Sequence, residues 1–166
     1  MTARKIMLLG EIGVGKSSIA RRLVFDRFEG DYKPTIGVDV YSYDLDDDAG
    51  EKTSRFIIWD TDGNLGETIL AHVYMKEAAA ALIVGDVTRR STLQRMVELG
   101  HKFMKAMPGR YCAFLLNKSD LETAATELPP ELAKSPIPMV RTSAKTGENV
   151  KDAFLRAADA IRRRGV

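Results

Sequence analysis

The stretch GEIGVGKS, residues 10–17, constrains this chain more than any other. Before it runs RKIMLLG, a short apolar segment closing on Gly10, and after it SSIARRLVF places Ile19, Leu23 and Val24 at helical spacing. The unit therefore reads strand, glycine-rich loop, helix, and the loop matches G-x-x-x-x-G-K-[ST] in the context that the pattern needs. Glycines let backbone N–H groups wrap phosphate oxygens at a helix N-terminus. Lys16 can reach the outer phosphates, and the Ser17 hydroxyl can ligate Mg²⁺. The bland alternative is an ordinary glycine-rich turn, which the flanking strand and helix disfavour.

The rest of the chain extends this unit. VDVYSYDL and SRFIIWD flank DDDAGEK and predict two antiparallel strands joined by a solvated turn containing Asp46, Asp47, Asp48 and Gly50. A helix over ETILAHVYMKEA follows, then a buried strand AAALIVGD and a helix over residues 91–106 with Ser91 as its cap. Next come a strand in YCAFLLN, a short helix around PPELAK opened by Pro129 and Pro130, a strand in IPMVRTS, and a closing helix over residues 148–163. Strands alternating with helices imply an α/β fold: a six-stranded, mainly parallel sheet with one antiparallel edge strand and helices on both faces. A chain of 166 residues with 45% hydrophobic content suits one domain, residues 1–166.

Charge and cysteine usage narrow the classes. Twenty-five basic against 23 acidic residues leave a net charge of +2, too little for a nucleic-acid footprint, so no nucleic acid is expected. The single cysteine, Cys112, lies in an apolar run and reads as core in a reducing compartment. No signal-length core with a cleavage pattern opens the chain, no run approaches a membrane span, and AIRRRGV carries no prenylation cysteine. A cytoplasmic protein without a membrane anchor in this chain is expected. The three terminal arginines are read as cations completing a helix C-terminus.

Three more stretches point to the base and the metal. Asp60 closes FIIWD, and Gly63 follows it in D-x-x-G, which brings a carboxylate near a metal and an N–H near a terminal phosphate. NKSD, residues 117–120, and SAK, residues 143–145, each close a strand, and so project from the carboxyl edge of the sheet where ligands bind in such folds. A carboxylate such as Asp120 can accept two hydrogen bonds from N1–H and the 2-amino group of guanine, a pair that adenine lacks.

With these motifs in order, from GEIGVGKS through YKPTIGVDV, WDTDGN, GDVT, NKSD and TSAK, the chain resembles the Ras-like small GTPases, and their Rab branch most closely. The resemblance implies GTP or GDP as ligand with Mg²⁺. Gly13, Val14, Gly15, Lys16, Ser17 and Ser18 would hold the phosphates, and Ser17 with Thr35 would ligate the metal. Asp60 would hold a metal-bound water. Phe28 and Lys118 would flank guanine, Asp120 would read it, Asn117 would tie the loops together, and Ala144 would offer its N–H to the base oxygen. Leu121, Ser143 and Lys145 would complete that pocket. Lys16, Gly63, Asn64 and Thr35 would serve the reaction. Residues 30–38 and 63–74 would be switch segments meeting effector, exchange-factor and GTPase-activating proteins, on a monomer. Phe28 as a plain apolar contact and Thr35 as a turn residue remain open. His72 and His101 carry no role, and Trp59 reads as a strand-face residue exposed to partners.

Several positions depart from the family. Asn64 stands where glutamine is usual. The shorter side chain withdraws the amide by about 1.3–1.5 Å, and a displacement near 1 Å can cost about 10²-fold in rate. Ile12 is bulkier than usual beside the terminal phosphate, and Asp62 adds a charge where alanine is usual. Leu65, Gly66 and Glu67 replace a polar, aromatic run, and the segment between NKSD and TSAK is short, so a truncated helix is expected there. Slow hydrolysis follows. The alternatives are a pseudo-GTPase that binds nucleotide without turnover and, against NKSD and SAK, an adenine-specific ATPase or kinase.

Overall fold

The computed structural model describes residues 2–31, 33–46, 52–61, 63–64 and 73–166. Asp47, Asp48 and Gly50 of the expected turn, Asp62, residues 65–67 and His72 lie outside the described residues, as does most of the helix expected over ETILAHVYMKEA. That pattern ends earlier than its periodicity implies. Val73 and Tyr74 are helical, but the chain bends at Met75, where the Ala78 N–H bonds the Met75 carbonyl at 3.1 Å and Glu77 turns left-handed at φ 63°.

The elements run β1 (Ala3–Leu9), α1 (Lys16–Phe25), β2 (Val38–Asp46), β3 (Lys52–Thr61), β4 (Ala80–Asp86), α2 (Arg90–Ala106), β5 (Tyr111–Asn117), α3 (Pro130–Ala133), β6 (Met139–Arg141) and α4 (Val150–Arg164). A 3-10 turn, Ser119–Leu121, follows β5. The six strands form one sheet in the order β2-β3-β1-β4-β5-β6; β2 pairs antiparallel with β3 and every other pair is parallel. That is the expected small-GTPase architecture. β4 and β5, with helices on both faces, are buried at every residue and carry polar side chains chiefly at their carboxyl ends, Asp86 and Asn117.

Side-chain alternation divides the core. Ile6 and Leu8 of β1 face one layer with Ile19 and Leu23 of α1 and Phe154 and Ile161 of α4. Met7 and Leu9 face the other with Leu93, Met96 and Phe103 of α2. Cys112 lies in this second layer, where burial pushes its thiol up to about 12. Trp59, expected as an exposed strand-face residue, is half-buried: it packs edge-on against Tyr74 at 5.9 Å, and the Lys5 ammonium lies 3.9 Å from its ring centre. His101 is exposed on α2.

One helix start differs from expectation. α2 opens at Arg90 with Arg89 in the capping position, and Ser91 is an exposed helical residue. Thr92 supplies the hydroxyl instead: it accepts the Asp86 N–H at 3.0 Å and donates to the Arg89 carbonyl at 2.7 Å. A hydroxyl that joins strand end and helix start displaces a purely local cap. Pro130 opens a four-residue α3, the truncated helix that the short segment implied. α4 begins at Val150, two residues later than expected, because Asn149 is left-handed at φ 55°. Arg162, Arg163 and Arg164 occupy its last turn, with Arg162 and Arg163 both paired to Asp159. Among the described residues, no helix is long and apolar enough to cross a membrane.

Candidate nucleotide-binding site

The loops leaving the carboxyl ends of β1, β3, β5 and β6 converge on one cavity of about 350 Å³. Gly13, Gly15, Lys16, Ser17 and Ser18 form its floor, where α1 begins. Gly15 adopts φ 101°, and a Cβ added there would lie 2.3 Å from Asn117 Nδ2, so only glycine lets the loop pass this side chain. Val14, expected with them, does not line the cavity: its side chain is buried in the core and its carbonyl accepts from Asn117. Lys16 is buried, its ammonium donating to the Gly10 and Glu11 carbonyls at 2.8 Å each.

The candidate metal end is assembled from three segments of the chain. Ser17 Oγ lies 2.7 Å from Thr35 Oγ1 and donates to Asp60 Oδ2, which joins α1, the loop before β2 and the end of β3. Asp60 is fully buried, and its second oxygen, Oδ1, has no hydrogen-bond partner among the described residues. Burial pushes the Asp60 carboxyl up, against the Ser17 hydrogen bond and the Lys16 charge. Two hydroxyls and a carboxylate with one buried, unsatisfied oxygen form a hard-oxygen donor set of the kind Mg²⁺ takes. Gly63 approaches so closely that an added Cβ would fall 2.5 Å from the Ile12 backbone nitrogen. Asn64 follows it, exposed and outside the cavity wall.

At the opposite end Asn117 is the tie that the motif implied. Its Nδ2 donates to the Val14 carbonyl at 2.9 Å, while its Oδ1 accepts from Thr142 Oγ1 at 3.2 Å and from the Ala144 N–H at 3.3 Å. Lys118 donates to the Gly13 carbonyl at 3.0 Å and pairs with buried Asp86 at 2.7 Å. Asp120 is exposed at the rim, with one oxygen accepting from buried Ser143 at 2.7 Å. Phe28, Leu121, Ala144 and Lys145 line the same end, so apolar walls and a carboxylate stand together there.

Sequence reasoning passed over several cavity residues. Arg21, Glu29, Asp31 and Lys33 line the cavity, and Arg22, behind it, clamps the loop after β6 by donating to the Ala144 carbonyl at 2.8 Å and the Lys145 carbonyl at 2.6 Å. The one available signal was helical spacing: Arg21 stands four residues after Ser17 and so shares its face of α1.

The Ras family model matches residues 5–163. The chain belongs to the Ras family. Several of its relatives within this family carry Rab names. Ras-related protein RABF2a of Arabidopsis thaliana is 35% identical over 164 residues, covering 96% of this chain and 81% of its own length. GTP-binding protein YPT53 of Saccharomyces cerevisiae is 36% identical over 161 residues (90% and 72%). Ras-related protein Rab-4B of Rattus norvegicus is 33% identical over 162 residues (95% and 75%). This Ras-family chain is thus a small GTPase on the Rab side of the family.

Proposed function

We propose that this single domain is a guanine-nucleotide switch that binds GTP with Mg²⁺, hydrolyses it slowly to GDP and phosphate, and changes its partner surface as it does so. The observation that carries the reading is the meeting, in one cavity, of Lys16, Ser17 and Thr35 at one end, with Asp60 bonded to Ser17 behind them, and of Asn117, Lys118 and Asp120 at the other. Phe28 and Lys118 would flank the guanine. Asp120 would accept from its N1–H and 2-amino group, Ala144 and Lys145 would meet its oxygen edge, and Leu121 and Ser143 would hold the loop.

In the reaction, water oxygen forms a bond to the γ-phosphorus, the bond from that phosphorus to the β–γ bridging oxygen breaks, and GDP leaves with the electron pair. The proton lost by water passes to phosphate and solvent. The reading assigns no side chain among the described residues as a general base, so the protein's contribution would be positioning and charge. Lys16 would neutralise charge growing towards the leaving oxygen, and Gly63 would donate its N–H to the terminal phosphate. Ser17 and Thr35 would hold Mg²⁺, with Asp60 bound to one of its waters; the metal supplies further neutralisation of the phosphates. Asn64 would orient the water from one methylene too far back, and Ile12 crowds the same corner.

The exposed apolar side chains Ile36, Val40 and Val73 lie in or beside the expected switch segments and would face effectors, exchange factors and activating proteins. The buried free Cys112 suits a reducing compartment such as the cytoplasm, and the family resemblance implies a monomer. A second reading, a nucleotide-holding module without turnover, draws support from Asn64 outside the cavity wall. Single-turnover GTP hydrolysis of the parent, Asn64→Gln and Ile12→Gly separates the two. Slow parental turnover that either change accelerates supports the switch. GTP binding with no turnover in all three proteins supports the holding module.

A further inference from the structure

Three consecutive carbonyls of the phosphate loop are each taken by a side chain from another part of the sheet edge. Asn117 holds that of Val14, Lys118 that of Gly13, and Arg89, from the turn after β4, donates Nη1 to that of Ile12 at 2.8 Å. The first two belong to NKSD. Arg89 belongs to no motif that the nucleotide reading used.

Its backbone is held firmly. The Arg89 N–H donates to the Asp86 carbonyl at 2.9 Å, and the Arg89 carbonyl accepts from Thr92 Oγ1 at 2.7 Å. Asp86 is 1% exposed and takes the Thr88 N–H and hydroxyl at 2.9 and 2.6 Å on one oxygen and Lys118 on the other. One buried residue, Asp86, thus roots both cations that hold the Ile12 and Gly13 carbonyls, Lys118 through its carboxylate and Arg89 through its backbone carbonyl. In a trans peptide the carbonyl and the following N–H point in opposite directions, and the described residues contain no cis peptide. A guanidinium fixed on the Ile12 carbonyl therefore aims the Gly13 N–H the other way, and Gly13 lines the cavity. Gly63 approaches the preceding Glu11–Ile12 peptide and the Ile12 Cα that joins it to this one, so on the guanine-nucleotide reading the Ile12–Gly13 peptide stands next to the terminal-phosphate end.

We propose that Arg89 is a positioning residue for the phosphate loop: by holding the Ile12 carbonyl it keeps the Ile12–Gly13 peptide turned towards the terminal phosphate of a nucleoside triphosphate. This rests on the guanine-nucleotide reading. Arg89 does not line the cavity and acts through Ile12. The test measures the affinity of the full chain with Mg²⁺ for a non-hydrolysable GTP analogue and for GDP. The proteins compared are the parent, Arg89→Ala, Arg89→Met (which keeps the stem and removes the donors), Arg89→Lys and, as a control for lost charge, Arg90→Ala.

Removing the donors should weaken the triphosphate analogue about tenfold, the scale of a single charge-assisted hydrogen bond. GDP should change by less than about twofold, because its affinity draws little on this end of the loop. Arg89→Lys should recover most of the loss, and Arg90→Ala should leave both affinities as in the parent. Equal losses for the two nucleotides, or no loss in either donor-free variant, would overturn the role of Arg89. A parent that binds neither nucleotide would overturn the guanine-nucleotide reading itself.

Discussion

Gly63 and Ile12 show how little room the phosphate end leaves. A Cβ at residue 63 would meet backbone, the Ile12 nitrogen at 2.5 Å and the Glu11 carbonyl carbon at 2.8 Å, and backbone cannot swing aside as a side-chain tip can. Gly63→Ala should therefore push the two segments apart and slow GTP hydrolysis about 10–10²-fold, the scale of an ångström's misplacement. GDP affinity should stay close to the parent's, and single-turnover rates beside GDP titrations check both halves. Asp86 poses a different problem, because it is buried and charged. Burial raises its carboxyl, but hydrogen bonds from Lys118 and Thr88 outweigh that and hold it below the ordinary value. A carboxyl lowered in the folded state adds stability that is fully present above its unfolded pKa of about 3.9 and is lost as pH falls through the lower folded value. Asp86→Asn should cost about 1.5–3 kcal/mol at pH 7, the worth of hydrogen bonds to a charged group. That cost should shrink in denaturant unfolding as pH drops below about 4. A gap that stayed constant with pH would mean that packing, not charge, holds the turn.

Helix α4 is joined to the sheet chiefly by apolar contacts, with Phe154 fully buried and its ring 6.3 Å from that of Phe56 on β3. Phe154→Ala should cost about 3–5 kcal/mol, the range for an aromatic ring removed from a core. Chemical denaturation reads this directly, with an unchanged slope if the native fold survives. Contacts of this kind were legible in advance because they follow periodicity: the apolar runs that end in Gly10, Asp60, Asn117 and Ser143 mark strands, and the motifs at those ends mark the cavity. The Ser91 cap was misread because Thr92 bridges back to Asp86, a bond between two elements that no local pattern encodes. The same reason hid Arg22 and Arg89. Their partners, Ala144 and Ile12, are 122 and 77 residues away, and an arginine on a helix or turn looks like solvent-facing charge until the fold brings those carbonyls to it. Asn117 was found because its motif names the amide, although its bond to Val14 spans 103 residues.

The whole molecule is two apolar layers separated by one sheet, and the cavity lies at the sheet edge where both end. Its walls come from segments far apart in sequence, joined by polar bonds such as Ser17 to Thr35 and Asn117 to Val14. A ligand that reached from Lys16 to Asp120 would add contacts across all of them in the folded state and none in the unfolded one. At a hundred times its dissociation constant such a ligand stabilises by about 2.7 kcal/mol. In a chain of 166 residues, at about 2–4 °C per kcal/mol, the melting midpoint should rise by about 5–11 °C with GTP and Mg²⁺. ATP at equal concentration should do much less, because a site built around guanine's donors leaves its own carboxylate unpaired against adenine. Chelating the metal should reduce the GTP shift, since the Ser17, Thr35 and Asp60 oxygens would lose the cation that links them to the phosphates. Asp120→Ala should bring the GTP and ATP shifts together, and selectivity that survived this change would move the base-reading role away from the NKSD carboxylate.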